Sequence, residues 1–175
     1  LISTRALQWY AVRVKSNRER VTADSLKGKG LEVFLPEYRS QSMRNAKRSF
    51  SLPLFAGYLF CRFDALNRLP ILMVPGVVHI VGFGKDPEPV DQEEMSRLFA
   101  LTECQLELKP HPYPPLGEHI RLQSGPLRGI DGIILAHERE DRLVVSVTLL
   151  QRSVAVQIER GWLAPLELEV STPSI

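Results

Sequence analysis

Toward the end of Gln8-Trp9-Tyr10-Ala11-Val12-Arg13-Val14, apolar and polar residues alternate with the two-residue period of a half-buried strand. Residues 17–27 then change period. A polar cap candidate at Asn17, helical spacing of Val21 and Leu26, and the stop signals Gly28 and Gly30 predict a helix. Residues 31–38 read as a second strand, and residues 39–51 as a hairpin tip or exposed loop. Residues 54–63, Leu-Phe-Ala-Gly-Tyr-Leu-Phe-Cys-Arg-Phe, predict a strongly apolar strand. A short helical or irregular piece precedes the turn Val74-Pro75-Gly76-Val77, and residues 77–83 give a further strand. Asp91-Gln92-Glu93-Glu94 is a capping-box variant with Asp in the cap position. It opens a helix with Met95, Leu98, Phe99 and Thr102 on one face. The order β-α-β-β-(α)-β-α implies a mixed α+β domain with helices packed on a sheet.

The pattern breaks at residues 109–115, Lys-Pro-His-Pro-Tyr-Pro-Pro, with four prolines in seven residues. Each proline lacks an amide donor and fixes φ, so the segment reads as a semi-extended spacer. Beyond it the periodicity is that of strands alone. Ile120 and Leu122 alternate around Arg121, and glycines stand at 125, 129 and 132. Three β-rich runs follow at 132–136, 142–150 and 154–158, with a charged turn at 138–141. Several short strands in about 60 residues leave no room for covering helices and predict a small antiparallel barrel. The expected divisions are 6–108, a linker at 109–115, and 116–168.

Composition narrows the class. Hydrophobic residues make up 44% and charged residues 24%, ordinary proportions for a globular chain. No apolar run approaches the roughly 20 residues of a membrane span, and the opening Leu1-Ile2-Ser3-Thr4-Arg5 is too short and polar for a secretory signal. Cys61 and Cys104 stand far apart without metal-type spacing, so buried reduced thiols and a cytoplasmic setting are expected. Net charge is +2, yet residues 1–63 hold 12 Lys/Arg against 4 Asp/Glu, while residues 110–175 hold 6 against 8. A basic first part and a mildly acidic second part point to two units with different partners. Nucleophile-elbow, zinc-protease and Walker patterns are absent, and Gly125-Pro126-Leu127-Arg128-Gly129 lacks the Lys-Ser/Thr ending of a phosphate loop. No catalytic residue, metal site or cofactor is expected, and the chain reads as a binding protein.

Four features in register resemble the NusG family over residues 8–165. Trp9-Tyr10-Ala11-Val12 is similar to its opening Trp-Tyr-x-Val strand. Residues 54–60 look like its central Phe-Pro-Gly-Tyr-Val strand. The run from Val74-Pro75-Gly76-Val77 through Val81-Gly82-Phe83 and Pro87-x-Pro89 to an acidic-capped helix follows the family order. Gly117-Glu118-His119-Ile120-Arg121-Leu122 through Gly132 looks like a KOW motif. The resemblance implies an α+β fold: an N-terminal antiparallel sheet flanked by helices (NGN-like), a proline-rich linker and a small C-terminal β-barrel (KOW, SH3-like). Ala56 replaces the family's proline. Leu150-Gln151-Arg152 stands where housekeeping members carry Phe-Gly-Arg, so that turn is expected to be made differently and a specialised paralogue is favoured. Some paralogues refold the second domain as a helical hairpin, but the β-branched runs 144–147 and 154–158 predict strands here.

By the same resemblance the chain is an elongation or antitermination factor, expected as a monomer. It would bind the clamp helices of RNA polymerase through Tyr10, Phe55 and Tyr58, with Trp9 nearby. Phe55 and Tyr58 are three apart and cannot share one side of a flat strand, so either Gly57 marks a bulge or one of the two is core. The plainer reading makes all four aromatics core residues. Two basic groups, Arg13, Lys15, Arg18 and Arg20, then Arg39, Arg44, Lys47 and Arg48, are candidates for the nontarget DNA strand or upstream duplex, against a merely solvated basic loop. Leu127, Arg128 and Ile130 are expected as exposed loop contacts for a small-subunit ribosomal protein or Rho. A KOW-type RNA-binding protein acting at the ribosome or on structured RNA is the alternative.

Overall fold

The computed structural model describes residues 7–42, 45–113, 117–136 and 141–163. Arg44, Pro114, Pro115 and the charged residues 138–140 lie outside them, as does the segment beyond residue 163.

The N-terminal sheet is built around β1 (Gln8–Val14), followed by helix α1 (Glu19–Gly28) and strand β2 (Glu32–Phe34). Strands β3 (Glu37–Ser42) and β4 (Asn45–Pro53) pair only with each other, as a two-stranded ribbon. Strand β5 (Tyr58–Phe63) returns to the sheet, and a short helix α2 (Leu69–Leu72) leads to β6 (Val77–Ile80). The sheet order is β2-β5-β1-β6, with β1 and β5 antiparallel so that Ala11 faces Phe60 and Arg13 faces Tyr58. Two short strands, β7 (Gly82–Phe83) and β8 (Asp86–Pro87), precede helix α3 (Gln92–Glu103).

Strand alternation divides the sheet between two cores. Tyr10, Val12, Val14, Leu59, Cys61 and Phe63 pack with Ala23 and Leu26 of α1 and with Ile71 and Val74. Trp9, Ala11, Tyr58 and Phe60 belong to the other core, with α3. Helix α3 starts where the capping signal predicted, the Asp91 carboxylate accepting from the amides of Glu93 at 2.9 Å and Glu94 at 3.0 Å. Such a cap stabilises a helix by about 1 kcal/mol.

Three single-strand expectations are corrected. Residues 31–38 split into β2 and β3 around Pro36, whose missing amide cannot join a ladder. Residues 54–63 divide because Gly57, at φ +79°, makes a turn in which the Tyr58 amide donates to Phe55 O at 2.9 Å; only then does β5 begin. Residues 77–83 divide into β6 and β7, with the Val81 amide between them donating to Ala11 O at 2.8 Å. Residues 39–51, read as a loop or hairpin tip, are largely the paired ribbon.

The second part is all strand apart from two 3₁₀ turns: β9 (Leu108–His111), β10 (Glu118–Arg121), β11 (Asp131–Ala136), β12 (Asp141–Val147) and β13 (Arg152–Ile158). Their antiparallel order is β10-β11-β12-β13-β9. Leu122, Leu143, Val145, Val147, Val154 and Val156 fill its core. Lys109, Pro110 and His111 were read as spacer, but they pair with β13. Strand β9 is an edge, where a proline's missing donor faces no partner. Gln151 corrects another expectation. It holds the turn before β13 at φ +51°, the left-handed geometry a glycine would take. Its side-chain amide donates to Thr148 O at 2.8 Å and its backbone amide to the same oxygen at 3.1 Å. The turn is made in the left-handed way after all, with local hydrogen bonds offsetting the cost of a side chain there.

The barrel packs on α3. Glu94, Leu98 and Leu101, at i, i+4 and i+7, form one buried stripe of that helix. At its head the Glu94 carboxylate, 8% exposed, accepts from Thr148 Oγ1 at 2.6 Å and from the Thr148 amide at 3.1 and 3.2 Å. Phe99, about 100° or more around the helix from that stripe, meets Trp9 at 5.4 Å and Phe34 at 4.4 Å between ring centroids. One helix thus joins the N-terminal sheet to the barrel.

Candidate functional site

The four aromatic candidates do not form one surface. Trp9 and Tyr58 are half-buried on the α3 side of the sheet. Tyr10 is 4% exposed on the opposite side, its ring 4.5 Å from Phe63 beneath the α1 layer. The period of a strand places neighbours 9 and 10 on opposite faces. Phe55, expected as a partly exposed anchor, is 2% exposed and meets Phe60 edge-on at 5.8 Å. The Gly57 turn resolves the spacing of three: Phe55 is core below the turn, and Tyr58 is its accessible neighbour.

That turn is held from three directions. The buried Glu19 carboxylate accepts from the Gly57 amide at 2.8 Å, and Gly57 O accepts from the Val14 amide at 2.9 Å. The Arg13 guanidinium lies 4.7 Å from the centre of the Tyr58 ring and 3.4 Å from Ala56 O. A Cβ on Gly57 would run into that guanidinium. Arg13, expected as a phosphate contact, is therefore engaged in positioning Tyr58 through a cation–π contact. Two contributors carried no sequence signal of their own. Phe34 and Phe99 complete the aromatic group around Trp9, and each looks like any apolar residue of its element.

The first basic group is otherwise accessible. Lys15 and Arg18 are exposed, while Arg20 pairs with Glu37 at 2.6 Å. The hydrogen bond to Glu37 raises the Arg20 pKa, followed by the attraction of the same carboxylate. Glu37 opens β3, two residues before the exposed Arg39, so this pair sets α1 against the root of the ribbon. Lys47 and Arg48 fall within β4. Of the second basic group, the exposed Arg39 thus stands at the ribbon root, two residues from the Arg20–Glu37 pair.

On the barrel, Arg128 is exposed, but Leu127 is 1% exposed and Ile130 half-buried, so the expectation of three exposed loop contacts is corrected for two of them. Leu127 points into the core because its loop folds back: the Gly129 amide donates to Leu122 O at 2.7 Å and the Ile130 amide to Leu127 O at 3.0 Å. A polar cleft of about 690 Å³ lies between α3 and the barrel, lined by Asp91, Glu93, Arg97, Arg121 and Asp131 among others. Its charges are largely matched. Arg121 meets Asp131 at 2.6 and 2.9 Å, and the hydrogen bond from Arg121 lowers the Asp131 pKa. Among the described residues, no three His, Cys, Asp or Glu side chains stand together as a metal site. No helix of the described residues is long and apolar enough to cross a membrane.

The sequence model of a family described as "Transcription termination factor nusG" matches residues 7–99, more than half of the chain. The chain belongs to the NusG family. Known curated relatives agree over nearly the full length. The transcription termination/antitermination protein NusG of Borreliella burgdorferi is 26% identical, covering 86% of this chain and 94% of the relative. That of Campylobacter jejuni is 24% identical over 86% and 93%, and that of Vibrio vulnificus 28% over 91% and 96%. A solved structure described as "Domain interaction in Thermotoga maritima NusG" superposes with a TM-score of 0.59 at 22% identity, covering 92% of this chain and 98% of that one. That likeness carries the fold. As a NusG-family member the chain is a transcription factor of a family not known for enzymes.

Proposed function

We propose that this NusG-family chain is a transcription elongation and antitermination factor that bridges RNA polymerase and a second factor. The N-terminal domain binds the polymerase clamp helices, and the barrel recruits a small-subunit ribosomal protein or Rho. What supports the first contact is that Trp9 and Tyr58 are half-buried aromatics on one sheet face, with Tyr58 held by Arg13. Aromatics seated this way are typical interface anchors, and rigid support lowers the entropy lost on binding. Phe55 contributes as the floor beneath Tyr58. Tyr10 supports β1 from the far side. Lys15, Arg18 and Arg39 are exposed and would follow the nontarget strand or upstream duplex together with Arg44, Lys47 and Arg48, positioning without reading sequence.

On the barrel, Arg128 is open to a partner directly, whereas Leu127 and Ile130 become contacts only if the loop or the α3 packing shifts. Two weak sites on one chain raise each other's effective concentration, which suits a bridging role. The test is capture of purified core RNA polymerase by the full chain. Trp9→Ala and Tyr58→Ala are expected to weaken capture at least tenfold, the size of a hot-spot loss. A wild-type chain that fails to bind polymerase would sink the proposal.

A further inference from the structure

The turn that leads into Tyr58 has two conformations open to its sequence. Phe55-Ala56-Gly57-Tyr58 closes with the Tyr58 amide donating to Phe55 O at 2.9 Å, with Gly57 at φ +79° and Ala56 outside the left-handed region. That is the geometry of a type II turn. A type I turn closes the same hydrogen bond with the central Ala56–Gly57 peptide rotated by about half a turn. Glycine takes either sign of φ about equally well, so Gly57 permits both. The choice lies in what meets the central peptide. Its N–H donates to the Glu19 carboxylate, 6% exposed, at 2.8 Å, and its carbonyl, Ala56 O, faces the Arg13 guanidinium at 3.4 Å. A contact of 3.4 Å is long for a hydrogen bond, so Arg13 acts there mainly through its charge. Rotating the peptide would exchange its ends. The carbonyl would turn toward the buried carboxylate, which would lose its donor, and the amide toward the guanidinium. Both changes oppose type I.

We propose that Glu19, assisted by Arg13, is a positioning residue that selects the type II turn, and that Tyr58 meets polymerase only from that turn. Tyr58 follows the turn directly and opens β5, where it faces Arg13 across the ladder. The ring is placed by the turn on one side and by the guanidinium over its face on the other. Glu19 starts α1, so a helix packed on one side of the sheet governs an aromatic on the other. This rests on the reading of Tyr58 as a polymerase contact and adds what holds it ready.

The test uses the full, isotope-labelled chain in solution. A type II turn brings the Ala56 Hα against the Gly57 amide proton, whereas type I brings the Ala56 amide proton there, and the nuclear Overhauser effect reads the difference. Wild type is expected to show the Hα contact alone. Glu19→Ala should add the amide–amide contact and weaken capture of core RNA polymerase roughly tenfold, as losing an anchor would. Glu19→Gln keeps an acceptor oxygen and should keep the wild-type pattern and most of the capture. Glu19→Asp keeps the charge but falls one methylene short, and should resemble alanine; it carries the test if circular dichroism shows Glu19→Ala unfolded. An unchanged Hα contact in the Ala and Asp variants overturns the lock. A changed turn with undiminished capture overturns the positioning of Tyr58. If wild type captures no polymerase, the polymerase reading falls and the positioning with it, while the Overhauser pattern still decides what selects the turn.

Discussion

Thr148→Val probes the joint between the two halves of the molecule. Valine keeps the shape of threonine and removes only the hydroxyl that donates to Glu94 at 2.6 Å. A hydrogen bond to a charged acceptor is worth about 1.5–3 kcal/mol. Glu94 is buried, so losing a donor leaves its carboxylate short of partners, and a loss of about 2 kcal/mol is expected. Glu94→Ala differs in kind. It removes the buried charge itself, and Thr148 is exposed enough to turn its donors to water, so part of the lost bonding is recovered. If the two residues meet as described, the double variant costs less than the sum of the singles, with a coupling of about 1–2 kcal/mol. The assay is urea unfolding followed by circular dichroism and by tryptophan fluorescence. Trp9 reports on the sheet and Trp162 on the barrel side. A coupling below about 0.5 kcal/mol, the scatter of independent sites, would refute the contact.

Three further outcomes follow from the same geometry. Gly57→Ala must adopt a positive φ and crowd Arg13, so urea unfolding should show a loss of about 1–2 kcal/mol, with weaker polymerase capture as Tyr58 shifts. Burial pushes the Cys61 thiol up to about 12, so it should resist a thiol reagent at neutral pH until the chain unfolds, while half-buried Cys104 reacts first. Because the folded thiol stays protonated where the unfolded one ionises, the Cys61 contribution is present below the ordinary value of 9.0 and is lost as pH rises toward 12; Cys61→Ala should flatten that alkaline fall. For Asp131 the sign is opposite: its lowered pKa stabilises the fold above the ordinary carboxylate value and is lost as pH falls through the depressed one, so Asp131→Asn should remove a small part of the acid-side loss in a pH series of unfolding midpoints.

Much of the fold was legible because its signals were local. The β1 alternation, the Val74-Pro75-Gly76-Val77 turn and the Asp91 cap each act within a few residues, and each stands where it was expected. Where the reading slipped, a local signal had more than one outcome. Leu54–Phe63 is apolar enough for a strand throughout, and only the φ of Gly57 divides it. The same division decides the site, because it sends Phe55 inward and leaves Tyr58 accessible. Pro110 looked like a break and became an edge strand, since its effect depends on whether a neighbour needs its amide.

The largest gap is α3, and it follows from what one sequence period can encode. Met95, Leu98, Phe99 and Thr102 were assigned to one face, as a helix lying on a sheet requires. In the structure that face is there but wider: Met95 and Leu98 are buried and Phe99 meets the Trp9 group, while Glu94 and Leu101 extend the buried arc, with Glu94 reaching Thr148 of the barrel. A helix with one apolar stripe and a charged residue at its edge looks like a surface helix, with Glu94 as an ordinary first-turn acid. Only a donor from elsewhere in the chain makes that acid a joint, and Thr148 lies 54 residues away. The consequence reaches function. The residue of α3 that touches Trp9 and the residue that holds Thr148 are five positions apart on one rigid helix. Any partner that displaces Phe99 from Trp9 therefore pulls on the same element that seats the barrel. On the proposed polymerase contact at Trp9, that contact and barrel docking would be linked through α3, and the Thr148–Glu94 cycle measures the barrel end of that link.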